Sequence, residues 1–369
     1  MHDPLPESHV MRVDDPLGAV IAGGHKSMTA VKKRRWSIMS IAQAFVFPDR
    51  TVFWAGRLRR MTNAIGKIAP DVIITSSPSL STHFAGWYFA KRTGAKWVAE
   101  FRDPVSWLPK KDTTSSFKRY LLSKIEAWAV RQADVVVTIS EAFSEYFRKI
   151  YKDEDIRTVP NGAELDEIRI SQNMKNVANR KTDGQLTISH AGFLYGGIRN
   201  PQPLIAAAKK AQLQTSRPIM LHFIGIDSHI ASVAAEKLGV ADMVVSHASL
   251  GHTETVKLTE QAHGLVALLP DDPLARIGLM SKFFDYVATG NPILVVGEKE
   301  AMFSRLVEDD GAGKAYEYHD VDGIAAWIVQ LANQPEEMRP KAMDICRKWS
   351  ADAMANSMEN LFVELTDSG

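Results

Sequence analysis

From residue 71 onward the chain alternates short apolar runs with segments whose apolar positions recur every three or four residues, the pattern of repeated strand–helix units. In the first half, 71–75, 96–100 and 134–138 predict strands, with helices expected at about 79–93, 116–131 and 141–150. The run 156–162 closes this series with a strand and a turn signal at Asn161-Gly162. A polar, weakly patterned stretch, 163–184, reads as the connection to a second series, with strands expected at 186–191, 219–224, 243–246, 265–269 and 293–296. Residues 335–366 are helical in pattern. Strands that alternate with helices form parallel sheets covered on both faces, so the expected fold class is α/β, with two Rossmann-like domains facing across a cleft. Open parallel sheets bind ligands at the carboxyl ends of their strands, which places the expected site in that cleft.

At 369 residues the chain is long enough for two such domains, each burying a substantial core. The net charge of +1 hides an asymmetry. Up to residue 183 there are 29 Lys and Arg against 20 Asp and Glu, or +9, which leaves 15 against 23, or −8, for the rest. A single cysteine, Cys346, excludes an intramolecular disulfide, and no run approaches the ~18 consecutive apolar residues of a membrane span. With no leader-like start, these features predict a cytoplasmic protein. The eleven histidines show no metal-ligand spacing, so no metal and no cofactor is expected. The fragment Gly23-Gly24-His25-Lys26-Ser27 lacks the spacing of a P-loop and is set aside.

The most informative stretch is 281–294, Ser-Lys-Phe-Phe-Asp-Tyr-Val-Ala-Thr-Gly-Asn-Pro-Ile-Leu. Ser281 is placed to cap a short helix that Gly290 and Pro292 end before an apolar strand. Lys282 and Asp285, three apart, would share one face near the helix start, where N–H groups and the helix dipole favour phosphate. A cation beside a carboxylate suits a nucleoside diphosphate, Lys282 meeting phosphates and Asp285 accepting from ribose hydroxyls. An ordinary solvated Lys and a dipole-favoured Asp would read the same way.

This stretch resembles the donor-site helix of the GT-B glycosyltransferases of the large retaining family 4 (group 1), in which a Glu or Asp sits in a "sKlfeYlasGkPil" context. Many members carry a further Glu eight positions earlier, where this chain has Ile277. The resemblance extends over about residues 45–365. It includes Phe101-Arg102-Asp103-Pro104, similar to the family's "FRDPW", and Gly192-Phe193-Leu194-Tyr195-Gly196-Gly197-Ile198-Arg199, similar to its donor loop. Ser140-Glu141 and Asn161-Gly162 also match family signatures, but read as a helix cap and a hinge turn without chemistry. Family members open with an apolar strand and a Gly-rich loop. This chain opens polar and Pro-rich, so it looks as though it enters the pattern late, either mis-started or naturally short.

The resemblance implies a donor site at Gly196, Gly197, Arg199, Gly225, Ser281, Lys282 and Asp285, with Arg199 and Lys282 on the diphosphate and Gly225 letting a nucleobase approach the backbone. Arg102 and Asp103, at a strand end, are the catalytic candidates: Arg102 to hold a phosphate or acceptor anion, Asp103 to accept the acceptor's proton. A structural Arg–Asp pair before Pro104 is nearly as good a reading. The implied domains are 1–165 on the acceptor side, 185–345 for the nucleotide sugar, and 346–369 as a C-terminal helix crossing back to the first domain.

The implied activity is retaining transfer of a hexosyl or N-acetylhexosaminyl group from a nucleotide sugar to a glycan or lipid-linked acceptor in polysaccharide or glycolipid synthesis. Two alternatives share the architecture: a nucleotide-sugar 2-epimerase, and a shortened, non-catalytic nucleotide-binding protein. Residues 32–47 join Lys32-Lys33-Arg34-Arg35 to an apolar stretch, a combination that fits peripheral contact with an anionic membrane as well as an ordinary basic face. No nucleic-acid partner is expected.

Overall fold

The computed structural model describes residues 47–49, 51–104, 116–164, 166–178, 184–248, 250–271 and 282–367. The chain divides into two compact units, Met1–Val159 with Met358–Gly369, and Pro160–Ser357.

In the first unit, helices α1 (Val52–Leu58) and α2 (Thr62–Ile68) precede the strand–helix series and bury none of their residues. There follow β1 (Val72–Ser77), α3 (Ser81–Thr93), β2 (Lys96–Phe101), α4 (Ser116–Gln132), β3 (Val135–Thr138), α5 (Glu141–Ile150) and β4 (Ile156–Thr158). The four strands pair in chain order, all parallel. Ser140 caps α5 by accepting the Phe143 N–H, as its sequence position predicts. β3 is buried along its whole length, as a continuous apolar run covered on both faces must be.

The second unit begins with α6 (Glu167–Ala178), where the sequence pattern predicts only a polar connection. Its buried positions are Ile170, Asn173 and Val177, so a polar residue interrupts the apolar stripe. Asn173 is satisfied there by donating to the Glu260 carboxylate and the Ala288 carbonyl, both at 3.0 Å. Then come β5 (Leu186–Ala191), α7 (Gln202–Gln212), β6 (Ile219–Ile224), α8 (His229–Lys237), β7 (Val244–His247), α9 (His252–Gln261), β8 (Gly264–Leu268), α10 (Lys282–Val287), β9 (Ile293–Val296), α11 (Met302–Asp309), β10 (Gly313–Tyr316), α12 (Val321–Asn333) and α13 (Ala342–Lys348). The last helix, α14 (Ala351–Asp367), starts in this unit, and its residues from Met358 onward belong to the first, where Arg157 pairs with Glu364.

The six strands are parallel in the order β10-β9-β8-β5-β6-β7. From β5 the chain winds outward through β6 and β7, then returns to the other side of β5 for β8, β9 and β10. The order therefore reverses between β5 and β8, and the loops leaving these two strands diverge there. In a doubly wound sheet this reversal opens the crevice that ligands use. Beneath it Leu186, Ile188, Leu221, Phe223, Val266 and Leu294 are at most 2% exposed, which gives the loops above a rigid floor.

Candidate functional site

At the C-terminal end of β5, backbone groups of one residue gather two side chains from α10. Lys282 Nζ donates to the Ala191 carbonyl at 3.3 Å. One turn later on the same helix face, the Tyr286 hydroxyl accepts the Ala191 N–H at 2.9 Å and lies 3.2 and 3.3 Å from the Val266 and Ala191 carbonyls. α10 is thus pinned to the two strands that flank the reversal. The next residue, Gly192, has φ 136°, a conformation an L side chain rarely adopts, and a Cβ there would crowd Lys282 Nζ.

Arg199 reaches the same place from the loop after β5. Its Nη1 donates to the Phe193 carbonyl at 3.2 Å, and the guanidinium lies 4.7 Å over the Tyr195 ring. Tyr195 (φ 52°), Gly196 (φ 63°) and Gly197 (φ 92°) are left-handed in succession, which folds the loop tightly enough for Arg199 to point back at the strand end. Gly197 and Arg199 both donate their N–H to the Leu194 carbonyl, at 3.1 and 3.0 Å.

The electrostatics follow from two cations sharing a largely dry site. Burial, and then the Arg199 charge, push Lys282 down to about 7. Burial also lowers Arg199, opposed by the Tyr195, Tyr318 and Tyr286 rings and by Asp227. Beneath them His190 is buried, with Nδ1 2.9 Å from the Val266 carbonyl. A carbonyl only accepts, so Nδ1 carries the proton and Nε2 holds a lone pair without a partner among the described residues. Burial, with the Lys282 charge, drives its pKa far down and keeps the ring neutral. Neither Lys282 nor Arg199 has an ion pair among the described residues, although each is half-buried. Two cations that converge without an ion pair among the described residues attract an anion.

The sequence-predicted residues fare differently. Lys282, Arg199 and the glycine loop come together. Asp285, three residues along the same helix, is exposed and makes no hydrogen bond or ion pair among the described residues. Ser281 lies outside the described residues, and α10 is only six residues long, so attraction for phosphate rests on the two cations rather than on a helix dipole. At Gly225 a Cβ would lie 2.5 Å from the Gly192 carbonyl, so glycine there is required for loop-on-loop packing. In the first unit, Arg102 and Asp103 are both exposed directly after β2. The basic segment 32–46 lies outside the described residues.

Sequence reasoning missed His190, Tyr286 and Asp227. Tyr286 stood in the quoted stretch without being given a role. His190 and Asp227 carried no local signal, since their roles arise from neighbours far along the chain. Among the described residues no three His, Cys, Asp or Glu side chains gather as a metal site requires, and no helix is long and apolar enough to cross a membrane.

Comparison with known proteins adds three findings. Residues 35–162 match the model of a glycosyl transferase 4-like domain. The fold is similar to sucrose-phosphate synthase from Thermosynechococcus elongatus, with TM-score 0.57 and 15% identity over 84% of this chain and 80% of that one. It is also similar to HepE of Anabaena in complex with UDP, with TM-score 0.58 and 13% identity over 84% and 83%, and to the lipopolysaccharide outer core galactosyltransferase WaaB, with 0.55 and 14% over 83% and 79%. No curated protein matches the chain in sequence.

Proposed function

The chain has the GT-B glycosyltransferase fold and carries a glycosyl transferase 4-like domain, and from that premise we propose that it moves a hexosyl or N-acetylhexosaminyl group from a nucleoside diphosphate sugar to a hydroxyl, with retention at the transferred carbon. The observation that carries the donor class is the convergence of Lys282 and Arg199 on the end of β5, neither held in an ion pair among the described residues. When the sugar–phosphate bond breaks, negative charge builds on the departing diphosphate. Two cations fixed in a poorly hydrated site stabilise that charge more than they stabilise the intact donor, which is what lowers a barrier.

Support from elsewhere is of a different kind. The structure of HepE with UDP concerns a protein of the same fold, and makes a uridine nucleotide a natural first donor to try. The retaining outcome rests on the resemblance of 281–294 to family 4. Arg102 and Asp103, exposed at the end of β2, are the acceptor-side candidates, Asp103 to take the hydroxyl proton. Synthesis of a polysaccharide or glycolipid is the setting we propose. Peripheral contact with anionic lipid fits residues 51–70, which hold Arg57, Arg59, Arg60 and Lys67 and no acidic residue, on helices with no fully buried residue.

A thermal-shift screen over UDP-, GDP- and ADP-sugars tests the donor reading, with Lys282→Ala and Arg199→Ala as controls. One donor should raise Tm in the parent protein, and neither variant should respond. Stabilisation that survives both substitutions would remove the site from the proposal.

A further inference from the structure

The loop that carries Arg199 is held from outside by a carboxylate. Asp227, in the turn between β6 and α8, accepts the Leu194 N–H at Oδ1 (2.9 Å) and the Gly196 N–H at Oδ2 (3.2 Å). These two donors flank Tyr195, the one residue of the loop that adopts a left-handed backbone without being glycine. Tyr195 in turn supports Arg199 through its ring, and the carbonyl of Phe193, next to Leu194, accepts from the guanidinium.

The base on which Asp227 stands is firm. The His247 carbonyl at the end of β7 accepts both the Gly225 N–H at 3.0 Å and the Ser228 hydroxyl at 2.9 Å, so the turn is fixed on either side of Asp227. The close approach of Gly225 to the Gly192 carbonyl locks the two turns together. A loop with three successive left-handed residues does not keep one shape through its own propensity, and two charge-assisted bonds to a fixed carboxylate supply what is missing.

Resting on the diphosphate reading above, we propose that Asp227 is a positioning residue for donor binding. It touches no ligand, and it holds the 194–196 backbone so that Arg199 faces the diphosphate alongside Lys282. The proposal predicts an effect opposite in sign to simple electrostatics. Asp227 is a negative charge near Arg199, and it raises the Arg199 pKa. As a bystander it would repel an anion, and its removal would tighten binding. As a positioning residue its removal loosens the loop and weakens binding.

The test is calorimetric titration of inorganic pyrophosphate and of UDP, GDP and ADP into the parent protein, Asp227→Asn, Asp227→Ala, Arg199→Ala and the double variant Asp227→Asn/Arg199→Ala. Asp227→Asn, which keeps one acceptor oxygen, should weaken binding about tenfold, and Asp227→Ala more, as expected when charge-assisted bonds are lost. The double variant should bind no more weakly than Arg199→Ala alone, because both substitutions act through one side chain. Tighter or unchanged binding by Asp227→Asn, or losses that add in the double variant, would overturn the positioning role and leave the donor site standing. Failure of the parent protein to bind pyrophosphate or any of the three nucleotides would overturn the donor site and the positioning role together. Urea midpoints without ligand report whether each variant is folded. Should Asp227→Ala fail to fold, the isosteric Asp227→Asn decides.

Discussion

Lys282 Nζ stands 3.3 Å from the point that a Cβ on Gly192 would occupy. The strand end and the helix therefore approach as closely as they do because residue 192 has no side chain. Gly192→Ala would force φ away from 136° or displace the lysine. The expected cost is about 1–3 kcal/mol of stability, measured by urea denaturation. Nucleoside diphosphate affinity should fall at least about tenfold, as for a lost charge-assisted contact, measured by calorimetry.

Lys282 gives the site a pH dependence whose sign can be stated. Its pKa falls from 10.5 to about 7 in the folded protein through burial and Arg199. Between those values the unfolded chain holds a proton that the folded chain does not, so unliganded stability rises with pH across the window. The penalty is fully present below about pH 7 and absent above 10.5. Urea midpoints at pH 7, 8 and 9 should increase in the parent protein, and Lys282→Met should flatten that slope.

Ligand binding has the opposite trend. An anion restores the lysine charge, so affinity should fall by roughly tenfold per pH unit above 7 as the free site loses its proton. Titrations at pH 8 in buffers of different ionisation enthalpy should show proton uptake on binding. Uptake that persists in Lys282→Met would assign the proton elsewhere.

Phe283 ties the same helix to the core. It is fully buried and meets Phe303 edge-on, with ring centroids 6.0 Å apart. Phe283→Ala should cost about 3–5 kcal/mol, the usual range for deleting a buried aromatic ring. Tyr286→Phe is subtler, because it leaves the Ala191 N–H without its acceptor. About 1–3 kcal/mol is expected, with weaker nucleotide binding than the stability loss alone explains.

In the first unit, Asp49 closes the start of α3. Its carboxylate accepts the Ser81 N–H at 3.0 Å, the Ser79 hydroxyl at 3.0 Å, and both the N–H and the hydroxyl of Thr51. Burial pushes its pKa up, but these bonds outweigh burial and leave it below the ordinary 3.8. The stabilisation is therefore present above pH 3.8 and lost as pH falls through the lower folded value. Asp49→Asn should reduce stability at neutral pH and narrow the gap to the parent protein in acid, read from Tm at pH 3 and 7.

The sequence by itself determined what depends on near neighbours. Alternation of apolar runs with amphipathic segments located β1 to β9 and, in the first unit, α3 to α5, because a strand buried on both faces is apolar whatever lies beside it. The stretch around Lys282 and the glycines at 196 and 197 were legible because caps, breakers and left-handed turns are local requirements. Elements with little periodic burial escaped: α1 and α2, which have no fully buried residue; α6, whose stripe is broken by Asn173; and β10, Gly-Lys-Ala-Tyr, an edge strand at which only Ala315 is buried.

Only the tertiary structure decided which charges meet. Lys282 and Asp285 are three residues apart, yet the first donates to the Ala191 carbonyl while the second is exposed. Lys282 and Arg199 are 83 positions apart and share one site, over a neutral His190 that nothing in its own stretch marks as special. The strand order 8-5-6 brings them together, and that order is set by how whole sheets bury their faces, a property no short window of sequence contains.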